Sequence, residues 1–265
     1  VAKLLIKFRA LPLPLLAAAL TLVAFVPGYA QRGGRGGAAP ASARQSAPVD
    51  LTGTWVSVIS EDWEFRMVTP DKGIFETLTL NNEGRRVGQL WDPAKDEAAG
   101  EQCKAYGAAN IMRLPGRLRI SWENDTTLRM DIDTGTQTRL LRFGAPAPAD
   151  TQPSLQGYSA AEWEVAPGAR GGARGAAAPP RSGNLRVVTT HLRPGYVRKN
   201  GAPHSERAVV TEYFDLLSLP NGDQWISVTT KVDDPLYFTR PLVTTSDFKK
   251  LPDAAGWNPT ACSAK

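Results

Sequence analysis

The sequence predicts an all-β domain: an antiparallel barrel, or alternatively a β-sandwich, of about ten strands with one short helical segment. Three observations carry this. Apolar and polar residues alternate with period two in short runs, as in strands that bury one face. Turn residues punctuate those runs, among them Asn200-Gly201, Leu219-Pro220-Asn221-Gly222 and Asp233-Asp234-Pro235. Only residues 82–107 carry a helical pattern.

The elements follow in order. Residues 54–59 alternate and open the domain. Over 62–67, Trp63, Phe65 and Met67 fall on one strand face and Asp62, Glu64 and Arg66 on the other, and a further strand is expected over 75–80. Asn82 can cap a helix in which Val87, Leu90 and Trp91 form an apolar stripe. Asp92-Pro93 then offers an N-cap followed by Pro for a second short helix ending by Gly100. Strands resume at 117–122, with Leu118, Ile120 and Trp122 on one face. Residues 127–133 and 136–143 form a hairpin about Thr134-Gly135. Asp133-Thr134-Gly135 also spells the aspartic-protease triplet, but that chemistry needs a second carboxylate sharing a proton, and a tight turn explains the segment better. Residues 155–165 and 185–193 are arms of another hairpin. The last three strands are 208–217, 224–232 and 242–248.

Composition bounds the rest. The chain has 265 residues, 42% hydrophobic and 22% charged, with 24 Gly, 21 Pro and two Cys, which suits one large domain rather than a disulfide-dense miniprotein. Lys3, Lys7 and Arg9 precede an apolar stretch over 10–26, and Gly28 and Ala30 place small residues before a cut at 30. Residues 1–30 therefore have the pattern of a Sec-type signal peptide, and periplasmic or secreted localisation in a bacterium is expected, with no membrane span in the mature protein. Residues 31–48 are expected to be a disordered linker, and 166–184, rich in Ala, Gly, Arg, Pro and Ser, a disordered insertion in a single domain over 49–265. Three of the 31 basic residues lie in the leader and six in those two acid-free segments. The folded body then has 22 bases against 26 acids, which argues against a nucleic-acid partner. In an oxidising compartment, Cys103 and Cys262 are the right number for one bridge, with two free thiols as the alternative.

The domain opens Leu51-Thr52-Gly53-Thr54-Trp55, and a Gly-x-Trp at the first strand resembles the signature of lipocalins and the wider calycin group. The resemblance implies a barrel in which Gly53 and Trp55 are structural, Trp55 closing one end beneath a cation supplied by Arg240. The C-terminal half, with Leu192-Arg193-Pro194-Gly195-Tyr196, Asn200-Gly201, His204-Ser205, Thr211-Glu212 and Val232-Asp233-Asp234-Pro235, is similar to a large group of secreted bacterial proteins. That similarity implies no activity.

Two sets of residues could carry function. Trp63, Trp122, Tyr196 and Trp225, beside Arg139, could line an apolar cavity with a polar anchor, so the expected partner is a small apolar or amphipathic molecule held inside the barrel. His191 and His204, the only histidines, could form a general acid/base set with Asp233, Asp234 or Glu212, which would make an isomerase, lyase or hydrolase on the same scaffold. An envelope structural or interaction protein is the third reading. There is no H-E-x-x-H motif and no close Cys/His pair, so no metal is expected, and no cofactor either.

Overall fold

The computed structural model describes residues 41–144, 146–165 and 183–265. The expected signal peptide, and the expected insertion up to residue 182, lie outside the described residues. Of the expected linker, 41–48 form a turn: the Trp163 indole Nε1 donates to the Ala43 carbonyl at 2.8 Å, and the Arg44 amide to the Asp125 carbonyl at 3.1 Å.

Nine strands close into a barrel: β1 (Gly53–Val58), β2 (Arg117–Asn124), β3 (Thr127–Ile132), β4 (Gln137–Phe143), β5 (Tyr158–Val165) and β6 (Gly183–Thr190), then β9 (Val209–Ser218), β10 (Gln224–Asp233) and β11 (Leu242–Leu251), which pairs back onto β1. β7 (Gly195–Arg198) and β8 (Ala202–His204) make a separate two-stranded ribbon about the Asn200-Gly201 turn. The architecture is consistent with the calycin fold in general. Nine strands cannot alternate direction all the way around a closed ring, so one neighbouring pair must be parallel. That pair is β4–β5, and the chain between them has to return the length of the barrel.

The strands from 117 onward follow the period-two reading, with inward positions buried on β2, β3, β6, β9 and β10. The segment after β1 does not. Residues 62–67, expected as a strand, contain a one-turn helix, α1 (Trp63–Met67), whose buried residue is Arg66 while Trp63 is 65% exposed. A five-residue window cannot separate period 2 from period 3.6 when every second residue is aromatic or sulfur-bearing. Residues 75–80 are irregular, with a single bridge from Leu80 to Phe238.

α2 (Asn82–Gln89) starts one residue earlier than expected, with Asn81 as N-cap accepting from the Gly84 amide, while Asp92 caps α3 (Pro93–Ala98) as expected. The buried face of α2 is not the Val87/Leu90/Trp91 stripe, since Leu90 is exposed. It is Gly84 and Gly88, one turn apart. A Cβ on Gly84 would lie 2.6 Å from the Tyr237 carbonyl oxygen, and one on Gly88 2.5 Å from the Phe75 ring, so only glycine admits this approach.

The lumen is filled by side chains. Trp55, Leu118, Leu128, Met130, Leu141, Leu185, Val187, Phe214, Ile226, Val228 and Phe248 are buried in one cluster, and Ile111 and Met112 descend into it from the 3-10 turn Ile111–Arg113. The Trp55 Nε1 donates to the Leu51 carbonyl at 3.0 Å. The cation over its ring is Lys250, the register partner of Trp55 on β11, with Nζ 5.2 Å from the centroid. Arg240, expected there, is exposed in the turn before β11. At that end of the barrel Trp122, Phe143 and Trp163 stack as a tilted aromatic group.

The opposite end is covered by the helices, the ribbon and a second apolar cluster that includes Phe75, Leu80, Val197 and Phe238. The C-terminal tail is tied there by a disulfide between Cys103 and Cys262. The Thr260 amide donates to the Asp133 carbonyl, which places Asp133 and Gly135 (φ 76°) in a structural turn.

Across the lumen, Arg139 on β4 meets Glu212 on β9 in a two-pronged ion pair, with Nη1–Oε1 2.9 Å and Nη2–Oε2 2.5 Å, and both side chains are wholly buried. Thr189 adds an acceptor at 3.3 Å and is itself bonded to Ser159. Glu212→Ala should lower the unfolding free energy by about 3–5 kcal/mol, because it strands a buried guanidinium. Arg139→Met combined with Glu212→Leu should recover most of that loss. Urea unfolding of the three proteins checks it, and equal stability of Glu212→Ala and wild type would show that the pair is not desolvated.

Candidate functional site

The structure does not assemble the expected catalytic set. His191 lies just past β6 in a left-handed conformation (φ 56°), with its Nδ1 2.9 Å from the Thr190 hydroxyl. His204, at the end of β8, is 1% exposed, and its Nδ1 lies 3.1 Å from the Ser205 carbonyl oxygen. Asp234 is buried, but it accepts from the Ser205 amide (2.6 Å), the Ser205 hydroxyl (2.9 Å) and the Leu236 amide (3.0 Å), so it staples a turn and orients no imidazole. Asp233 is exposed and faces Lys231 at 3.6 Å. Glu212 is consumed by Arg139.

The expected cavity residues are equally dispersed. Trp63 stands in solvent. Trp225 lies on the outer face of β10, opposite the inward Ile226 and Val228. Tyr196 donates to Asp96 at 2.7 Å and meets Trp91 edge-on; burial and that carboxylate push its hydroxyl far above the usual range. Trp122 borders a 400 Å³ groove formed with residues such as Arg44, Val49 and Asp50 at the Trp55 end.

What the fold does assemble is a cluster of arginines at the covered end. β1 leaves the sheet at the Val58–Asp247 pair, so Leu242–Ser246 of β11 extend beyond it. Beside them lies a cavity of about 240 Å³ lined by Glu61, Asp62, Thr77, Leu78, Arg113, Arg198 and β11 residues 242–245. A much smaller space, about 20 Å³, lies on the far side of Arg113 and Arg198 and is lined also by Phe65, Arg66 and Asn110. Arg66, Arg113 and Arg198 are 8%, 7% and 3% exposed.

Each arginine is held from a different element. Arg66 on α1 donates its Nε to the Arg113 carbonyl at 2.9 Å. Arg113, in the 3-10 turn that plugs the lumen, is paired with Asp62. Arg198, ending β7, donates to the Thr77 hydroxyl at 2.7 Å and the Glu76 carbonyl at 3.2 Å, lies 3.8 Å from Asp62, and stacks over the Phe65 ring at 4.6 Å. Asp62 is the only carboxylate bonded to these guanidinium groups among the described residues. Both Nη atoms of Arg66 and the Nε of Arg198 have no hydrogen-bond partner.

Two further features mark the site. Asp62 (φ 51°) and Thr77 (φ 68°) are both left-handed, and for β-branched Thr77 this is a rare conformation that stores strain. Both touch Arg198. Burial lowers the Arg66 pKa to about 10, with the Arg113 charge acting in the same direction. Burial likewise lowers that of Arg198 to about 10. Arg66 and Arg198 stay protonated at neutral pH, held close in a poorly solvated place.

None of these residues stood out in the sequence. Arg66 and Asp62 sat on the polar face of the expected strand, which would have been solvated. Arg198 lies between Tyr196 and the Asn200-Gly201 turn, and Arg113 in an unpatterned loop. The left-handed Thr77 has no sequence signature. Among the described residues no three His, Cys, Asp or Glu side chains are placed to hold a metal ion, and no helix is long and apolar enough to cross a membrane. Comparison with family models, curated proteins and solved structures returned no match to the chain.

His204 gives a pH dependence of known sign. Burial lowers its pKa below the ordinary 6.5, so below that pH the unfolded chain binds a proton that the folded one refuses. Stability should therefore fall as the pH drops below 6.5, by up to about 1.4 kcal/mol per pH unit until the folded imidazole titrates. Urea unfolding at pH 7.5, 6 and 5 should show this slope in wild type and a flatter one in His204→Gln. Parallel curves would remove His204 as the cause.

Proposed function

We propose that this protein is an exported small-molecule-binding β-barrel whose ligand sits at the covered end of the barrel rather than in the lumen. The observation that carries the reading is the 240 Å³ cavity itself, in which Leu78, Leu242 and Val243 provide apolar wall and Asp62, Thr77, Arg113 and Arg198 a polar floor. Apolar wall and converging polar anchors are the parts of a ligand pocket; here the polar side chains outnumber the apolar ones, and the volume lies below the usual size range. The dense lumen packing argues against a ligand between the strands. Of the expected acid/base residues only His204 and Asp234 lie near one another, both next to Ser205, and Asp234 is bonded to Ser205 and Leu236 rather than to the imidazole, so the binding reading is preferred to a catalytic one. Export rests on the leader-like pattern of residues 1–30, and the Cys103–Cys262 bridge is in keeping with an oxidising compartment.

The neutral fluorescent probe N-phenyl-1-naphthylamine tests the reading. It should brighten and shift to the blue on binding the folded protein. Thr245→Trp, which puts an indole into the cavity from β11, should weaken binding at least tenfold while leaving the melting temperature within a few degrees of wild type. Absence of any enhancement, or equal binding by the variant, would overturn the assignment of the cavity.

A further inference from the structure

We infer that the cavity recognises an oxyanion, a phosphoryl or carboxylate group carried by an otherwise partly apolar molecule, and that Asp62 occupies part of that group's place in the ligand-free protein. This rests on the cavity being a binding site and specifies what it binds.

The argument begins with charge. Arg66, Arg113 and Arg198 bring three positive charges into a region where each is more than nine-tenths buried, and the one carboxylate paired with any of them, Asp62, meets Arg113 and Arg198 but not Arg66. The other acidic groups facing the cluster are peripheral. Glu61 lines the cavity and Glu76 faces Arg198, but both are exposed, and Asp247 is already bonded by the Ser60 and Ser227 hydroxyls. Burying like charges together is unfavourable unless anions offset them. A molecule that gathers three guanidinium groups from three separate elements around one carboxylate is left two positive charges in excess within the cluster.

The donors point the same way. The Nε of Arg198, a wall residue of the larger cavity, is buried without an acceptor, and so are both Nη atoms of Arg66, which lines the small space that Arg113 and Arg198 also border. Guanidinium forks match the paired oxygens of carboxylates and phosphates better than any neutral group. Asp62 demonstrates the fit: its carboxylate takes a bond from Arg113 and lies 3.8 Å from Arg198. It does so although it is the N-cap of α1, where an Asp ordinarily accepts from its own helix; here it makes no side-chain capping bond and takes a left-handed backbone instead. Its carboxylate is spent on the arginines.

The test compares two probes on the wild-type protein. 8-Anilino-1-naphthalenesulfonate has nearly the same ring system as N-phenyl-1-naphthylamine but adds one oxyanion. It should bind at least tenfold more tightly, and the difference should shrink as salt is raised. Arg198→Met, which removes a guanidinium from the cavity wall, should abolish that difference. Asp62→Asn should raise sulfonate affinity several-fold by removing the internal competitor. Inorganic phosphate and hexanoate are then titrated as competitors of the sulfonate. The stronger competitor assigns a phosphoryl or a carboxylate group, and either result supports an oxyanion site. Equal affinity for the two probes in wild type, or competition by neither anion, overturns the inference while the binding reading stands. Failure of both probes overturns the binding reading itself. The wild-type comparison needs no variant, so poor folding of an arginine substitution does not blunt the test.

Discussion

A ring of nine strands encloses a volume that has to be filled, and this chain fills it with its own side chains. Everything else about the molecule follows from that constraint. Leu, Val, Ile, Met and Phe from the inward positions meet across the axis with Trp55 beneath them, and Ile111 and Met112 enter from the covered end. The remaining demand is electrostatic. Arg139 is long enough to cross from β4 to Glu212 on β9, and the two neutralise one another where water cannot. Because the lumen is filled with side chains, the proposed binding site lies where the strands end.

The covered end is where the chain departs from regular β-structure. The segment between β1 and β2, the β7–β8 ribbon and the C-terminal tail converge there, and their packing depends on small residues and buried polar staples as well as apolar area. Gly84 and Gly88 let α2 lie against Tyr237 and Phe75. Asp234 ties Ser205 to the turn after β10, and Asn200 donates to the Asp71 and Ile74 carbonyls. The disulfide closes a sequence separation of 159 residues, which in the chain-entropy picture restricts the unfolded state by about 5 kcal/mol. Leu192, Gly195, Asn200, His204, Ser205, Glu212 and Asp234 are buried parts of this framework. They support the site without lining its cavity.

Rigid support of this kind allows like charges to be held together. Arg66, Arg113 and Arg198 come from a one-turn helix, a 3-10 turn and the end of a ribbon, three elements with no strand pairing among them. Each is fixed by bonds to carbonyls, to the Thr77 hydroxyl or to Asp62. The strained backbone at Asp62 and Thr77 is the local expense of that arrangement, and the surrounding packing maintains it.

How much of this was legible in the sequence depends on the range of the forces involved. Alternation set the barrel strands from 117 onward but not the short β7–β8 ribbon, and Asn200-Gly201, Thr134-Gly135 and Asp92-Pro93 marked turns and a helix start, because pleat, turn and cap are decided within a few residues. Two cysteines were the right number for one bridge, with free thiols as the alternative, and the structure joins Cys103 to Cys262. The sequence could not say that Arg139 would reach Glu212, that Lys250 rather than Arg240 would cover Trp55, or that 62–67 would turn into a helix bearing a buried arginine. Those outcomes rest on register and on contacts between residues tens to more than a hundred positions apart. Only the tertiary structure decided the site, since burial and proximity give three scattered arginines their chemistry, and neither is a property of any segment by itself.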